Sequence, residues 1–216
     1  MNKKQKKWFI ISITGCVMGI MIIMVPFVLN MINNHKNAQA ISSMTSQYDD
    51  YAENSEAIEE QFAQARAYNA KLAGKEPEID DIWEYDRQLS FDGDGVMGYI
   101  EIPKIGVRML IYHGTEDEAL AVGAGHLEGT SLPVGGESTH AVITAHSGMK
   151  TMQAFDRLRE LEEGDIFIIS VLGKHFTYEV ESYETVLPYE TDSLHIVQGK
   201  DLVTLVTCTP YGINSH

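Results

Sequence analysis

A run of 25 residues without a charged side chain, residues 8–32, constrains this chain more than any other feature. A helix needs about 20 apolar residues to cross the hydrocarbon core of a bilayer, so the run predicts a transmembrane anchor over residues 8–32. Positive charge collects on the cytoplasmic side of membrane helices. Four lysines precede the run: Lys3, Lys4, Lys6 and Lys7. The sequence therefore predicts a cytoplasmic tail over residues 1–7 and an extracytoplasmic position for everything after the anchor, in a single-pass protein of the cell membrane.

The triplet Ala38-Gln39-Ala40 leaves a second interpretation open, because small residues at this spacing mark the cleavage site of a signal peptide. The apolar segment of a signal peptide is only about 7–15 residues long, however. The length of the apolar run therefore favours an uncleaved anchor, and processing after Ala40 stays open.

Charge is distributed unevenly over the 216 residues, whose formal net charge is −15. Beyond Ala40 there are 11 Lys or Arg residues against 31 Asp or Glu residues. Nucleic acids are bound by basic surfaces, so this balance argues against a nucleic-acid partner. It suits a soluble extracytoplasmic domain, for which 44% hydrophobic residues can supply a sizeable core.

Apolar residues recur every three or four positions in the region that follows the anchor. Ser55 and Asn69 interrupt the stripe, and Gly74 and Pro77 end it. The pattern predicts an amphipathic helical region over residues 41–75, either one long helix or a pair. The polar breaks favour packing against the chain's own domain over a coiled-coil dimer. The residues of the stripe are Ile41, Met44, Tyr48, Tyr51, Ile58, Phe62, Ala65 and Leu72.

Short β-branched and apolar runs separated by turns predict a mostly antiparallel β-barrel over residues 96–216. We expect a helical turn near residues 116–122 and a short helix over residues 152–161. The expected strands cover residues 97–102, 107–112, 141–144, 165–172, 175–186 and 202–207.

Cys208 lies where the last expected strand ends, just before Pro210. The other cysteine, Cys16, lies in the anchor, so a disulfide framework is excluded and Cys208 is the only candidate for a thiol nucleophile outside the membrane. A small buried side chain is the competing interpretation of a lone cysteine. With one such thiol and neither C-x₂-C nor H-x₃-H spacing, the sequence predicts no metal site and no cofactor.

A nucleophilic cysteine needs a base or a nearby cation, because a free thiol is mostly protonated at neutral pH. Among the eight histidines, His146 has the best local case, since it follows the strand expected at residues 141–144 and precedes a Ser-Gly turn. His140, at the other end of that strand, is the alternative.

The segment Thr204-Leu205-Val206-Thr207-Cys208 resembles the TLxTC signature of sortases, the cysteine transpeptidases of Gram-positive cell surfaces. Its continuation, Thr-Pro-Tyr-Gly-Ile-Asn over residues 209–214, and the phrases at residues 95–105, 111–115 and 125–133 are similar to class C, the pilin-polymerising branch. The resemblance implies a sortase-type closed β-barrel with short helices, Cys208 as the nucleophile and His146 as the catalytic histidine. It also implies an LPxTG-like sorting signal as substrate and a pilin lysine, or a cell-wall precursor, as the accepting amine.

Asp81-Ile82-Trp83 resembles the Asp-Pro-aromatic triplet by which class C sortases anchor a lid over the active site. Isoleucine replaces the proline and removes its fixed φ, so a looser lid is expected. The resemblance predicts a lid or linker over residues 76–95 with Asp81 and Trp83 as its anchors. A solvated acidic linker is the other interpretation.

The resemblance also calls for an arginine after the cysteine strand, and the 216 residues end at His216 before reaching it. Arg87, Arg108, Arg157 and Arg159 lie in other segments. The expectation from sequence is a class C sortase truncated at its C-terminus, lacking the last strand. A housekeeping sortase that attaches surface proteins to cell-wall precursor and a catalytically defective remnant are the alternatives.

Overall fold

The computed structural model describes residues 2–51, 55–90, 93, 95–148 and 154–209. Some sequence predictions lie outside the described residues. They are the side chains of Tyr48 and Tyr51 in the apolar stripe, residues 91, 92 and 94 of the expected lid region, residues 152 and 153 of the expected short helix, and the continuation from Pro210 to His216.

The N-terminal helix α1, Lys3–Tyr51, runs without a break through the expected anchor and into the expected amphipathic region. Its segment Lys3–Ser46 is long and apolar enough to cross a membrane, with a mean hydropathy of 2.4 in its most apolar window. Beyond this apolar part, Ile41 is completely buried against Tyr99 and Leu110. The N-terminal part of this helix therefore has an apolar surface suited to lipid, and its C-terminal part contacts the barrel.

Helix α2, Ser55–Leu72, packs against the barrel through Phe62 and Ala65. Gly74 ends the segment with a φ of 68°, a left-handed conformation that glycine adopts without steric cost. Its N–H donates to the Lys71 carbonyl, and the next N–H, of Lys75, donates to the Ala70 carbonyl. These are the two hydrogen bonds of a Schellman motif, so the helix ends close to the expected position.

Seven strands form one sheet in the order β6-β5-β1-β2-β3-β4-β7, curled into a nearly closed barrel. The pairs β2–β3 and β4–β7 are parallel and the other four are antiparallel. The mostly β architecture with short helices, expected from the sequence, is confirmed. The elements are β1 Val96–Ile102, β2 Val107–His113, α3 Asp117–Leu120, β3 Ala124–His126, β4 Thr139–Thr144, β5 Ile166–Val171, β6 Lys174–Glu179 and β7 Asp201–Val206.

Side chains connect the two ends of this sheet order, β6 and β7. The Tyr178 hydroxyl donates to Asp201 Oδ1 at 3.1 Å, and Lys200 Nζ lies 2.9 Å from Glu181 Oε1. Inside the barrel, apolar side chains from all seven strands fill a single core with Phe62 from α2. Because these side chains point into the core, the alternate side chains of each strand face the outer side of the barrel wall.

Two expected elements are wrong. The strand predicted over residues 175–186 ends at Glu179, opposite the first residue of β5, and Val180 makes two further backbone hydrogen bonds, with Asp165 and Gly164. The helix predicted over residues 152–161 is, in its described part, only a 3₁₀ turn at Leu158–Glu160. The Phe155 N–H donates to the His146 carbonyl, nine positions earlier, and not to the carbonyl four positions earlier as in an α-helix.

Candidate functional site

The parallel pair β4–β7 presents alternate side chains to the two faces of the barrel wall. Ile143 and Ala145 on one side, and Val203 and Leu205 on the other, point into the core. Residues at the even-numbered positions of the two strands therefore face the outer side of the barrel wall. His146 and Cys208 also have even numbers but follow the strands.

The register of the pair sets the ends of the two strands level. Thr144 lies opposite Val206, and the Ala145 N–H still donates to the Val206 carbonyl at 3.1 Å. His146 and Cys208 each follow the last paired residue by two positions. Parallel strands in this register end at the same edge of the sheet, so both residues lie at that edge. His146 is partly buried, and Cys208 is an exposed free thiol.

Two side-chain hydroxyls join the chain segments around these residues. Thr207 Oγ1 donates to the Ala145 carbonyl at 2.8 Å, and Ser147 Oγ donates to the Cys208 carbonyl at 2.7 Å. The backbone pairing of the strands is thus extended by side chains to His146 and Cys208.

The carboxylate of Asp156 holds the backbone that follows His146. It accepts a hydrogen bond from the Gly148 N–H at 2.7 Å and another from the Ala154 N–H at 2.9 Å. The Phe155 N–H donates to the His146 carbonyl at 3.1 Å, and the Phe155 side chain is completely buried. Residues 154–156 thus hold the backbone of His146 and Gly148 against the core.

His140, the alternative histidine, lies at the far end of β4 and is buried. Its Nδ1 lies 2.9 Å from the His195 carbonyl and its Nε2 lies 2.7 Å from Thr204 Oγ1. Both ring nitrogens are therefore engaged in hydrogen bonds that join β4 to β7 and to the connection before β7. This is the environment of a structural histidine, and six positions along the strand separate it from His146.

The expected lid anchors lie against α2. Gln64 Nε2 donates to the Asp81 carbonyl at 3.1 Å, and Gln64 Oε1 accepts from the Trp83 N–H at 2.9 Å. The Asp81 side chain is exposed and that of Trp83 is partly buried, with the Arg87 guanidinium 5.0 Å from the centre of its ring. The described contacts thus hold this segment on α2 and the 3₁₀ turn Tyr85–Arg87.

Three of the four arginines considered from the sequence, Arg87, Arg108 and Arg157, are engaged elsewhere. Arg108 lies over the Tyr99 ring and beside Glu101, and Arg157 is paired with Glu160. Among the residues that the structure describes, no group of three or more His, Cys, Asp or Glu side chains is arranged to hold a metal ion.

The family model of the sortase domain matches residues 100–216, more than half of the chain. The chain belongs to the sortase family. Solved structures that resemble this sortase include several class C members. Sortase C1 from Streptococcus agalactiae has a TM-score of 0.74 and 38% identity, and the match covers 82% of this chain and 92% of that one. Sortase C-1 from Actinomyces oris is 48% identical with a TM-score of 0.65, over 74% of this chain and 93% of that one.

A sortase C from Clostridium perfringens, solved with the C-terminal cell wall sorting motif, has 39% identity and a TM-score of 0.70, with 82% of this chain and 92% of that one covered. Among curated sequences, Sortase D from Bacillus subtilis is 31% identical over 114 residues, which are 53% of this chain and 54% of the relative. The sortase described here spans about half the length of the curated relatives it matches.

Sequence reasoning did not find Ser147, Asp156 or the hydroxyl contact of Thr207. Asp156 lies in a segment that was expected to be a helix, and an aspartate in a helix does not indicate a hydrogen bond to a distant backbone N–H. Only the parallel pairing of β4 with β7, two strands separated by some 60 positions in the sequence, reveals what these side chains contact. The turn signal at Ser147-Gly148 was the single local hint.

Proposed function

We propose that this chain is a membrane-anchored class C sortase in which Cys208 is the nucleophile and His146 is the general acid and base. The register of β4 against β7 supports the proposal, because His146 and Cys208 each follow the last paired residue of their strand by two positions, at the same end of the sheet. A nucleophilic thiol paired with a histidine on rigid strand ends is the arrangement that acyl transfer through a thioester requires.

The proposed substrate is an LPxTG-like sorting signal. The Cys208 thiolate attacks the carbonyl carbon of the Thr–Gly peptide bond, the C–N bond breaks, and the imidazolium of His146 gives its proton to the departing amine. A pilin lysine amine then attacks the thioester, His146 takes a proton from that amine, and an isopeptide bond forms as the Cys208 thiolate leaves. Proton transfer by a positioned histidine typically contributes about 10²–10⁴-fold to the rate.

Similarity to class C structures supports a pilin lysine as the acceptor, because class C is the pilin-polymerising branch. A neighbour of known structure contains a cell wall sorting motif, which supports the sorting signal as substrate. Sortase A proteins of Streptococcus agalactiae and Listeria monocytogenes are also similar, each 28% identical over about half of this chain. Their similarity supports a second candidate function, in which the amine of a cell-wall precursor attacks the same thioester.

The location proposed is the cell membrane, with the N-terminus in the cytoplasm and the barrel outside. The apolar length of α1 and the lysines in front of it support this orientation. We propose in addition that Asp81 and Trp83 anchor a lid. A sortase C1 of Streptococcus agalactiae, 43% identical to this chain, has been solved as a lid mutant, which supports a lid in the family.

Covalent capture of a peptide tests the proposal. The full chain, incubated with a peptide carrying LPxTG, is expected to form a thioester adduct visible by mass spectrometry. Cys208→Ala and His146→Ala should abolish turnover, whereas His140→Ala, matched in residue type and strand, should retain it if it folds. An adduct on Cys208→Ala, or equal losses in the two histidine variants, would contradict the assignment of the site. Adding a pilin lysine peptide or a cell-wall precursor amine identifies the acceptor.

A further inference from the structure

The hydrogen bonds made by Thr207 and Ser147 are reciprocal. The residue before Cys208 donates to the residue before His146, at 2.8 Å, and the residue after His146 donates to the carbonyl of Cys208, at 2.7 Å. The two contacts therefore join the segment on either side of His146 to Thr207 and Cys208.

These contacts lie where the sheet no longer holds the chain. The last paired residues of β4 and β7 are Thr144 and Val206, and one further backbone bond joins Ala145 to Val206. Beyond that bond, Cys208 itself is joined to the segment of His146 by the hydrogen bond from the Ser147 hydroxyl. Asp156 accepts a hydrogen bond from the Gly148 N–H, and the buried Phe155 donates to the His146 carbonyl, so the backbone on both sides of Ser147 is held in place.

We propose that Ser147 is a positioning residue for the reaction of Cys208 and His146. This inference rests on the proposed function, in which those two residues react. The hydroxyl fixes the backbone of Cys208 relative to that of His146, and therefore the approach of thiol to imidazole. Small displacements of reacting groups cost far more in rate than in stability, because the reaction requires close alignment. A hydrogen bond that lies in an exposed place adds little to the free energy of unfolding, so its effect should appear mainly in kcat.

The test uses the full chain with Ser147→Ala and Ser147→Thr. From the usual size of one neutral hydrogen bond, we expect Ser147→Ala to lower kcat by about three- to tenfold, with KM and the melting temperature nearly unchanged. Ser147→Thr keeps a hydroxyl and should recover most of the rate. Thr207→Val removes the other hydroxyl with little change of shape and should shift kcat in the same direction.

A second measurement reads the pairing of Cys208 with His146 without turnover. The rate of Cys208 alkylation by a soluble reagent is recorded against pH for the unaltered chain, for His146→Ala and for Ser147→Ala. If Ser147 positions the pair, the curve of Ser147→Ala moves toward that of His146→Ala, and Ser147→Thr moves it back.

The outcomes separate this inference from the proposed function. Unchanged kcat and an unchanged alkylation curve in Ser147→Ala overturn the role of Ser147, while loss of capture in Cys208→Ala still supports the site. A rate loss that Ser147→Thr does not restore and that comes with a lower melting temperature also overturns it, since the residue is then structural. If Cys208→Ala still captures the peptide, or if His146→Ala leaves the alkylation curve unchanged, the proposed function itself is wrong and the inference fails with it.

Discussion

Helices α1 and α2 both lie against the barrel, but different chemistry holds each of them. α1 offers apolar side chains, with Ile41 buried on the outer surface of β1 and β2 and Met44 packed beside it. α2 has apolar contacts too, and in addition three amide side chains that each bind the backbone of another segment. Gln61 binds residues 89 and 90, Gln64 binds residues 81 and 83, and Asn69 binds Leu132.

The difference matters because apolar contacts fix a helix against a surface, whereas an amide that donates and accepts at once fixes one particular stretch of backbone. α1 therefore joins the barrel to the long apolar segment that precedes it, and α2 holds the backbone of three segments that border the barrel. Removing an amide should leave backbone groups unpaired, and removing an apolar side chain should leave a cavity. The two helices thus predict different consequences for substitution.

The largest effect is expected at Asn69. Its Nδ2 donates to the Leu132 carbonyl at 3.0 Å, and its Oδ1 accepts from the Leu132 N–H at 2.7 Å, both in a buried environment. Asn69→Ala leaves a buried donor and a buried acceptor without partners, which costs about 1–3 kcal/mol each, or roughly 4 kcal/mol together. Denaturant unfolding measures the loss. Lys71→Ala, an exposed position on the same helix, is the control, and equal stability of the two variants would show that water replaces the amide.

A second polar contact, between the turn that follows α2 and the barrel, should make the α2 side sensitive to pH. Tyr85 Oη lies 2.9 Å from His126 Nδ1, and His126 Nε2 donates to the Ser131 carbonyl at 2.8 Å. Burial lowers the pKa of His126 from 6.5 to about 4. The hydrogen bond to Ser131 opposes this shift, and the nearby His113 adds a smaller lowering. The unfolded chain therefore binds a proton between these values that the folded chain does not, so stability is full above about pH 6.5 and falls as the pH is lowered toward 4.

From that difference in pKa, the loss attributable to His126 should approach roughly 3 kcal/mol at pH 4 and about 2 kcal/mol at pH 5. Free energies of unfolding at pH 7 and pH 5 test this. His126→Gln does not titrate and should lose less stability between the two pH values than the unaltered chain. An equal loss in both would assign the acid sensitivity to carboxylates elsewhere, and the contrast between the polar and apolar sides of the barrel would weaken.

The same contrast explains what the sequence could predict. The length of the uncharged run identified the apolar part of α1. Apolar periodicity identified the helical region that contains Ile41 and Phe62 and most of the strands, because burial repeats with the period of the element. The stripe treated Asn69 as an interruption, yet its side chain is buried. A polar residue in a buried position is explained only by its partner, and Leu132 is 63 positions away in the sequence. That His146 and Cys208 both follow strands that end at the same edge of the sheet likewise depends on a parallel pairing that no local pattern encodes.

On the α1 side, Ile41→Ala is expected to reduce stability by about 2 kcal/mol, the lower end of the range for a large buried aliphatic side chain. The cavity would open between α1 and the pair Tyr99 and Leu110. Thermal unfolding of the full chain in detergent measures the shift, and membrane fractionation should be unchanged because the anchor lies below this contact. Ser42→Ala, exposed on the next position, is the control. No difference between the two variants would mean that the barrel does not depend on α1.

The smallest effect on stability, and the sharpest test of the comparison, is expected at Gln64. Its two hydrogen bonds hold the segment of Asp81 and Trp83, and both are only partly buried, so Gln64→Ala should cost about 1 kcal/mol. That energy corresponds to about a fivefold change in the fraction of time the segment is released. If the segment is a lid over Cys208, Gln64→Ala should raise the rate at which a soluble thiol reagent modifies Cys208, by up to about fivefold. Trp83→Ala should change that rate in the same direction.

Gln61→Ala is the control, because it also removes one donated and one accepted hydrogen bond, here to residues 89 and 90, and it should leave the labelling rate unchanged. Equal rates in all three variants and in the unaltered chain would reduce residues 81–83 to a linker fastened to α2.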